Sequence, residues 1–236
     1  MLLCPIPRSQ LLHYLPKGGE VAEIGVANGD FSSDILEFAS PRRLHLIDPW
    51  EHQDRADYAG DANNVADAKQ EARFNAVLAR FRDKIDGNTV CVHRDYAEDA
   101  VSFFADRQLD WVYVDGMHTF DAAYHDLTAY QHKVKADGFI VGHDYTNNIQ
   151  ARQWNFGVVE AVNRFVLEFG YEFVALTLEN FPTYVLCKDR ERASGLKNDL
   201  ILNSPFVMEI RDFPRDCRFE HQSVPLGKGL ILYPSF

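Results

Sequence analysis

Apolar residues follow two different spacings along this chain. Short continuous apolar runs are typical of buried strands, and longer stretches with an apolar residue every three or four positions are typical of amphipathic helices. The runs predict seven strands, at residues 20–25, 43–48, 89–93, 109–115, 139–141, 171–178 and 183–188. The helical spacing predicts helices around residues 31–38, 74–81, 97–104, 120–130 and 158–169.

The alternation of strands and helices predicts an α/β fold. Repeated βα units form a largely parallel sheet with helices on both faces. We therefore expect a Rossmann-like, doubly wound, mostly parallel sheet of seven strands. Only a few residues separate the last two runs, so these should form a terminal hairpin that adds one antiparallel strand.

A charged run at residues 188–192 (KDRER) predicts a domain boundary. Residues 1–190 would form the main domain, and residues 191–236 a C-terminal extension of mixed strand and turn character. Apolar stretches at 206–207 and 230–233 predict that the extension packs on the core or on a second subunit, so we expect a homodimer. The long connection at residues 49–64 is of the kind that is often functional or mobile.

Charge and composition exclude several classes of partner. The chain has 24 Lys and Arg against 35 Asp and Glu, a net charge of -11. Nucleic acids and anionic membranes bind basic surfaces, so we expect neither as a partner. No apolar run approaches the roughly 20 residues that span a bilayer, and the first residues lack the pattern of a signal peptide. Four cysteines without Cys-x-x-Cys spacing favour a reducing, cytoplasmic setting.

The first predicted strand ends in a glycine loop, residues 23–29 (EIGVANG). Its E-x-G-x-x-x-G spacing differs from the G-x-G-x-x-G fingerprint of dinucleotide sites, which disfavours an NAD-dependent oxidoreductase. Glu23 would lie beside the ligand, where a carboxylate suits a cationic amino or sulfonium group. Gly25, Val26 and Gly29 would let the backbone approach that ligand closely.

Acidic residues also follow the second and third predicted strands. Asp48 can accept hydrogen bonds from both hydroxyls of a ribose. Asp95 can accept from the amino group of adenine, and Trp50 or Tyr96 can cover the faces of the ring. Adenine, ribose and a cationic tail together describe S-adenosylmethionine, the cofactor that we predict.

A second polar cluster follows the fourth and fifth predicted strands. These strands are neighbours in the predicted sheet, so Asp115, His118, His143 and Asp144 should converge beside the methyl donor. Carboxylates with water or histidine hold Mg²⁺, and a larger share of histidine suits another divalent metal. A metal lowers the pKa of a hydroxyl acceptor, and a histidine can take its proton. The structural alternatives are that His118 is a loop histidine and Asp144 caps a turn.

Four segments together resemble the class I S-adenosylmethionine-dependent methyltransferases. They are VAEIGVANG, LIDPW, VDGMHTFDAAYHDL and GFIVGHDY, and the resemblance covers roughly residues 18–188. More narrowly, they are similar to the metal-dependent sugar O-methyltransferases of the macrocin and mycinamicin type. The resemblance implies that His118 is the general base and that Asp115 is both a catalytic and a cofactor-binding residue. It also implies that Asp115, His143 and Asp144 hold a metal. The sequence departs from that pattern at His143, where the sugar enzymes carry a carboxylate.

The resemblance implies an O-methyltransferase whose acceptor is a hydroxyl of a small molecule, a sugar or a glycosylated natural product. A phenol or catechol is the alternative acceptor. Metal-dependent phenol methyltransferases usually carry a Lys shortly after the fourth-strand Asp and an Asp-Asn pair after the fifth, which this chain lacks. A non-catalytic S-adenosylmethionine-binding module is a further alternative, although it would not need His118 or Asp144. Residues 154–157 (WNFG) would line the acceptor pocket or form a hydrophobic staple at a helix entry.

Overall fold

The computed structural model describes residues 1–227 and 229–236. Within them the strands are β1 (Leu2–Cys4), β2 (Glu20–Ile24), β3 (Arg43–Ile47), β4 (Val90–His93), β5 (Leu109–Val114), β6 (Val134–Gly142), β7 (Glu172–Thr177), β8 (Tyr184–Cys187), β9 (Met208–Glu209), β10 (Glu220–Leu226) and β11 (Gly229–Ser235). The helices are α1 (Arg8–Leu11), α2 (Asp30–Asp34), α3 (Asp67–Arg80), α4 (Arg82–Asp86), α5 (Ala97–Ala100), α6 (Phe120–Tyr130), α7 (Ile149–Gln153), α8 (Val158–Phe169) and α9 (Arg190–Asn203). Strands β1 to β9 form one sheet in the order β4-β3-β2-β5-β6-β8-β7-β1-β9.

The predicted α/β fold is confirmed, with the predicted strands present as β2 to β8. Strand β8 runs antiparallel to both β6 and β7, which confirms the terminal hairpin. Strand β6 begins earlier than predicted, at Val134, and its pairing with β5 is irregular near its start. Leu109 pairs with Val134, but Trp111 pairs with Phe139.

Two short strands extend the sheet beyond the predicted seven. Strand β1 pairs parallel with β7, and β9 pairs antiparallel with β1 at the edge. Both are too short for a periodic pattern, and Pro5 ends the apolar run of β1. Sequence periodicity therefore has no means of detecting them.

The region beyond residue 190 begins with a helix, which corrects its predicted strand and turn character. The Asp189 side chain caps α9 by accepting from the backbone N–H of Arg192 at 2.8 Å. The buried stripe of α9 is thin, consisting of Ala193, Leu196 and Leu200. So narrow a stripe gives a weak periodic signal, and the apolar Ile201 and Leu202 lie exposed outside it.

The end of the tail packs on the segment that directly follows β6. Phe219 is buried with its ring 5.0 Å from that of Tyr145. His221 Nδ1 lies 2.6 Å from Thr146 Oγ1, and its backbone N–H donates to Asn147 Oδ1 at 2.8 Å. The β10–β11 hairpin beyond leaves apolar side chains such as Leu230 exposed.

Helices cover both faces of the sheet, and successive residues of β5 show how. Val112 and Val114 face a core shared with α6 and α8, whereas Trp111 and Tyr113 face a core shared with α3 and α9. The sheet is therefore buried on both sides, and its strand ends remain for binding. Among the helices of the described residues, none is long and apolar enough to cross a membrane.

Candidate active site

A cavity of about 770 Å³ opens at the carboxyl ends of β2, β3 and β5. This is the edge at which open α/β sheets bind ligands, and the volume suits a small-molecule cofactor. The predicted cofactor residues that line it are Glu23, Gly25, Val26, Asp48, Tyr96 and Asp115.

Gly25 joins the glycine loop to the end of β5. Its φ of +84° lies in the region that favours glycine, and a Cβ there would come within 1.9 Å of the Asp115 backbone oxygen. Gly29, with φ of +73°, lies at the start of α2, against the Phe81 ring. It does not line the cavity. The two glycines thus serve different purposes, a close backbone contact and a helix entry.

Asp48 holds the glycine loop in place. Its Oδ2 accepts from the backbone N–H groups of Val26 at 3.0 Å and Ala27 at 2.9 Å, and its Oδ1 accepts from Trp50 at 2.7 Å. Burial raises the pKa of this carboxyl, and the three backbone donors oppose that rise. Oδ2 uses both of its lone pairs on Val26 and Ala27, but Oδ1 keeps one, so Asp48 can still accept from a ribose hydroxyl.

Trp50 and Asp95, both predicted to contact adenine, do not line this cavity. Trp50 is 1% exposed, and its indole N–H donates to the Ala27 carbonyl at 2.9 Å, so it supports the loop from beneath. Asp95 lines a second cavity of about 610 Å³, which shares Tyr96 with the main one. The sequence places both residues at the right strand ends but does not show which way their side chains point.

Glu23 is a buried carboxylate in the wall of the cavity. It accepts a hydrogen bond from the Ser32 hydroxyl, and burial raises its pKa to about 8. A cationic ligand beside it would favour the ionised form. This environment matches the predicted partner of a sulfonium or ammonium group.

The four residues after β5 and β6 converge as predicted. His118 Nε2 lies 2.8 Å from Asp144 Oδ2 and 3.6 Å from Asp115 Oδ1. His143 Nδ1 lies 3.3 Å from Asp144 Oδ2 and 3.7 Å from Asp115 Oδ1. Asp115 also lines the cavity, so the cluster adjoins the cofactor site.

A fifth member of the cluster, Asp61, comes from the long connection before α3. Its Oδ2 lies 3.0 Å from His118 Nδ1, the ring nitrogen opposite the one that faces Asp144. The length of the connection at residues 49–64 is typical of a functional or mobile loop, but the sequence gives no signal for Asp61 itself. A carboxylate on Nδ1 fixes the tautomer and orientation of the imidazole.

Mutual charge controls protonation in this cluster. Burial lowers the pKa of His118, but Asp144, Asp115 and Asp61 outweigh it, and the pKa lies well above its ordinary value. His143 shows the same balance, with a pKa raised to about 9. For Asp144, burial raises the pKa, but the two imidazoles outweigh burial and hold it well below its ordinary range.

Backbone strain marks the same point. Asp144 has φ of +59°, a left-handed conformation that non-glycine residues seldom adopt. Such strain persists where the surrounding structure over-determines the residue, and it clusters at functional sites. Here it turns the Asp144 carboxylate toward His118.

The cluster fits a divalent metal. Asp115, His118 and Asp144 each offer one ligand atom, and these atoms lie within 4.8 Å of one another. His118 Nε2 is buried without a properly directed hydrogen bond, although Asp144 Oδ2 lies close. An imidazole nitrogen left in this way, between two carboxylates, is suited to receiving a metal or a proton.

Half-buried aromatic rings border the cluster. The Phe156 ring lies 4.4 Å from the His118 ring, and Phe181 lies 6.5 Å from His143. Trp154 stacks with Phe181 at 6.4 Å and an interplanar angle of 13°. We call Trp154, Phe156 and Phe181 the aromatic wall; sequence reasoning identified its first two members and missed Phe181.

Solved structures with the same fold include several methyltransferases. An O-methyltransferase family protein from Burkholderia thailandensis aligns with a TM-score of 0.54 at 11% identity, covering 78% of this chain and 55% of that one. A tRNA methyltransferase from B. subtilis aligns at 0.52 and 12%, covering 79% and 67%. Fibrillarin from Aeropyrum pernix, in complex with S-adenosyl-L-methionine, aligns at 0.51 and 13%, covering 75% and 72%. At these identities the likeness shows the fold.

The sequence itself supplies the family. No curated protein sequence matches the chain significantly. Residues 22–145, which contain the glycine loop, Asp48, Asp115 and His118, match the family described as a methyltransferase domain. The chain therefore belongs to this methyltransferase family, as an S-adenosylmethionine-dependent enzyme.

Proposed function

We propose that this enzyme methylates a hydroxyl group of a small molecule, a sugar or a glycosylated natural product. One observation carries the proposal: the buried Nε2 of His118, which has no directed hydrogen bond, lies between Asp115 and Asp144 beside the cofactor cavity. A hydroxyl is a poor nucleophile until it loses its proton. An acceptor nitrogen in a nucleobase ring has a free lone pair, so it would need no general base.

His118 would accept the proton of the acceptor on Nε2 while Asp61 holds Nδ1. S-adenosylmethionine supplies the methyl group as an electrophile. The neighbouring carboxylates raise the pKa of His118, and positive charge brought to the cluster would oppose that rise. Asp115 and Asp144, with His143 beside them, would hold a divalent cation, which would supply positive charge to the cluster and acidify the hydroxyl.

The aromatic wall would present an apolar surface to the acceptor, next to the base. The C–H face of a sugar ring packs on such a surface, and so does a phenol ring, which keeps a phenol or catechol as the alternative. The net charge of -11 disfavours a nucleic-acid acceptor. The expected homodimer and cytoplasmic setting stay predictions, and sedimentation of the purified chain tests the first.

Turnover of His118→Ala tests this function. The assay follows S-adenosylhomocysteine release with panels of glycosides and of catechols, in Mg²⁺ and in EDTA. We expect turnover on a glycoside to fall roughly 100-fold or more, with S-adenosylmethionine affinity within about threefold of wild type. His132→Ala, an exposed histidine outside the site, is the control and should match wild type.

Parallel loss of affinity and turnover in His118→Ala would make the residue structural. Turnover of catechols but not of glycosides by the wild type would select the alternative acceptor. Binding of S-adenosylmethionine without turnover on either panel would favour the non-catalytic module.

A further inference from the structure

Arg8 reaches into the cofactor cavity from α1, ahead of the segment that matches the methyltransferase family. Its Nη1 lies 3.2 Å from Asp115 Oδ2 and 3.3 Å from the Tyr113 hydroxyl. The guanidinium carbon lies 4.5 Å from the centre of the Phe31 ring. These contacts hold the guanidinium in one place, and its side chain keeps 32% of its surface exposed.

Carboxylates outnumber cationic side chains at this end of the cavity. Glu23 and Asp115 supply carboxylates, and Arg8 supplies the guanidinium that lies with them. The other arginines of the cavity lining lie with the connection and α3. Arg55 pairs with Asp57, and Arg73 donates to the Asn63 backbone oxygen.

The amino-acid end of S-adenosylmethionine carries an ammonium, a sulfonium and a carboxylate. Glu23 and Asp115 complement its two positive groups, but they would repel its carboxylate. A guanidinium binds a carboxylate with two parallel N–H donors, a geometry that an ammonium cannot supply. A cation at this end would complement the cofactor's negative group, and Arg8 lies there.

We propose that Arg8 binds the α-carboxylate of S-adenosylmethionine and makes that carboxylate a requirement for tight binding. The guanidinium exchanges its contact with Asp115 for the cofactor, which frees Asp115 for the ammonium group. Phe31 and Tyr113 keep the guanidinium positioned during the exchange. This inference depends on the cofactor and is independent of which acceptor is methylated.

A pair of ligands isolates the carboxylate in the test. Calorimetric titration compares S-adenosylmethionine with decarboxylated S-adenosylmethionine, which differs by that group alone. We expect the wild type to prefer the carboxylated form by about 10- to 100-fold, and Arg8→Met to reduce this preference to within about threefold. The loss should arise from weaker binding of S-adenosylmethionine, since the decarboxylated form has nothing to offer the guanidinium.

Two further variants complete the design. Arg8→Lys keeps the charge but loses the two-pronged geometry, so its preference should be intermediate. Arg55→Met removes an arginine from the same cavity lining and should keep the wild-type preference. Equal affinity of the wild type for both ligands would overturn the proposal, and so would a folded Arg8→Met or Arg8→Lys protein with an undiminished preference.

Discussion

Asp48 and Asp144 are buried carboxylates at the same edge of the sheet, but their partners differ. Asp48 accepts three backbone N–H groups, from Val26, Ala27 and Trp50. Asp144 contacts two imidazoles instead, those of His118 and His143. Burial raises the pKa of Asp48, whereas the imidazoles hold that of Asp144 well below its ordinary range.

The difference separates shape from chemistry. A backbone N–H keeps its proton at any working pH, so the surroundings of Asp48 have one state and fix the loop. An imidazole can lose its proton, so the surroundings of Asp144 have several states. Under the proposed function, the Asp48 region would position the cofactor, and the Asp144 region would move a proton.

Replacing Asp144 should give the largest effect. Asp144→Asn removes the charge but suits the left-handed backbone, because Asn tolerates φ of this sign. We expect turnover to fall about 100- to 1000-fold while S-adenosylmethionine affinity stays within about threefold. Steady-state kinetics and calorimetry measure the two quantities. Retention of a tenth of the activity would contradict the chemical role.

Replacing Asp48 should act on stability and cofactor binding instead. Asp48→Ala leaves three backbone N–H groups without their partner, two of them in the glycine loop, so we expect the unfolding free energy to fall by about 2–4 kcal/mol. Cofactor affinity should fall with it, because the loop is no longer held. Urea unfolding measures the first effect. Asp95→Ala is the control, and a loss similar to that of Asp48→Ala would show that position at the sheet edge, not loop bonding, matters.

Glu23→Gln should show opposite effects on stability and binding. The pKa of Glu23 in the folded chain, about 8, lies above its ordinary 4.5, so the folded chain holds a proton that the unfolded chain releases between these values. The unfolding free energy of the cofactor-free wild type therefore falls as pH rises through this window. Gln does not titrate, so the variant should melt higher than wild type at pH 8 and similarly near pH 4.5.

The same variant should bind S-adenosylmethionine about tenfold more weakly at pH 8, because it lacks the carboxylate that faces the cation. Thermal melts and calorimetry across this pH range test both signs. A wild type that melts higher than the variant at pH 8 would show that Glu23 is not held protonated.

Asp61→Asn should give the smallest effect. It keeps a side chain of the same size at His118 Nδ1 but removes one of the charges that raise the pKa of this histidine. We expect turnover to fall by only about threefold to tenfold, and the acid limb of the pH–rate profile to move to lower pH. An unmoved limb would mean that Asp61 positions the loop rather than the imidazole.

Sequence reasoning found the residues that follow directly from strand ends. Glu23, Asp48, Asp115 and Asp144 each follow or end a strand with a clear apolar pattern, and parallel strands bring such ends together.

Contacts between distant parts of the chain were beyond such reasoning. Asp61, in an irregular connection, contacts His118. Arg8 contacts Asp115 although several strands and helices separate the two in the chain. No local period encodes either approach. Trp50 shows a different limit, because a strand-end position does not say whether a side chain turns into the cavity or beneath the loop.

The tail behind β6 has a consequence for how such enzymes diverge. His221 forms hydrogen bonds with Thr146 and Asn147, and the Phe219 ring packs on Tyr145. These three residues directly follow the strained Asp144. A change in the tail therefore alters the support of that carboxylate without touching any group that meets the cofactor. Relatives with an unchanged glycine loop but a different tail would bind the same methyl donor. They would hold the proposed proton-transfer site differently. Changes far from the acceptor pocket could therefore alter which acceptor is used.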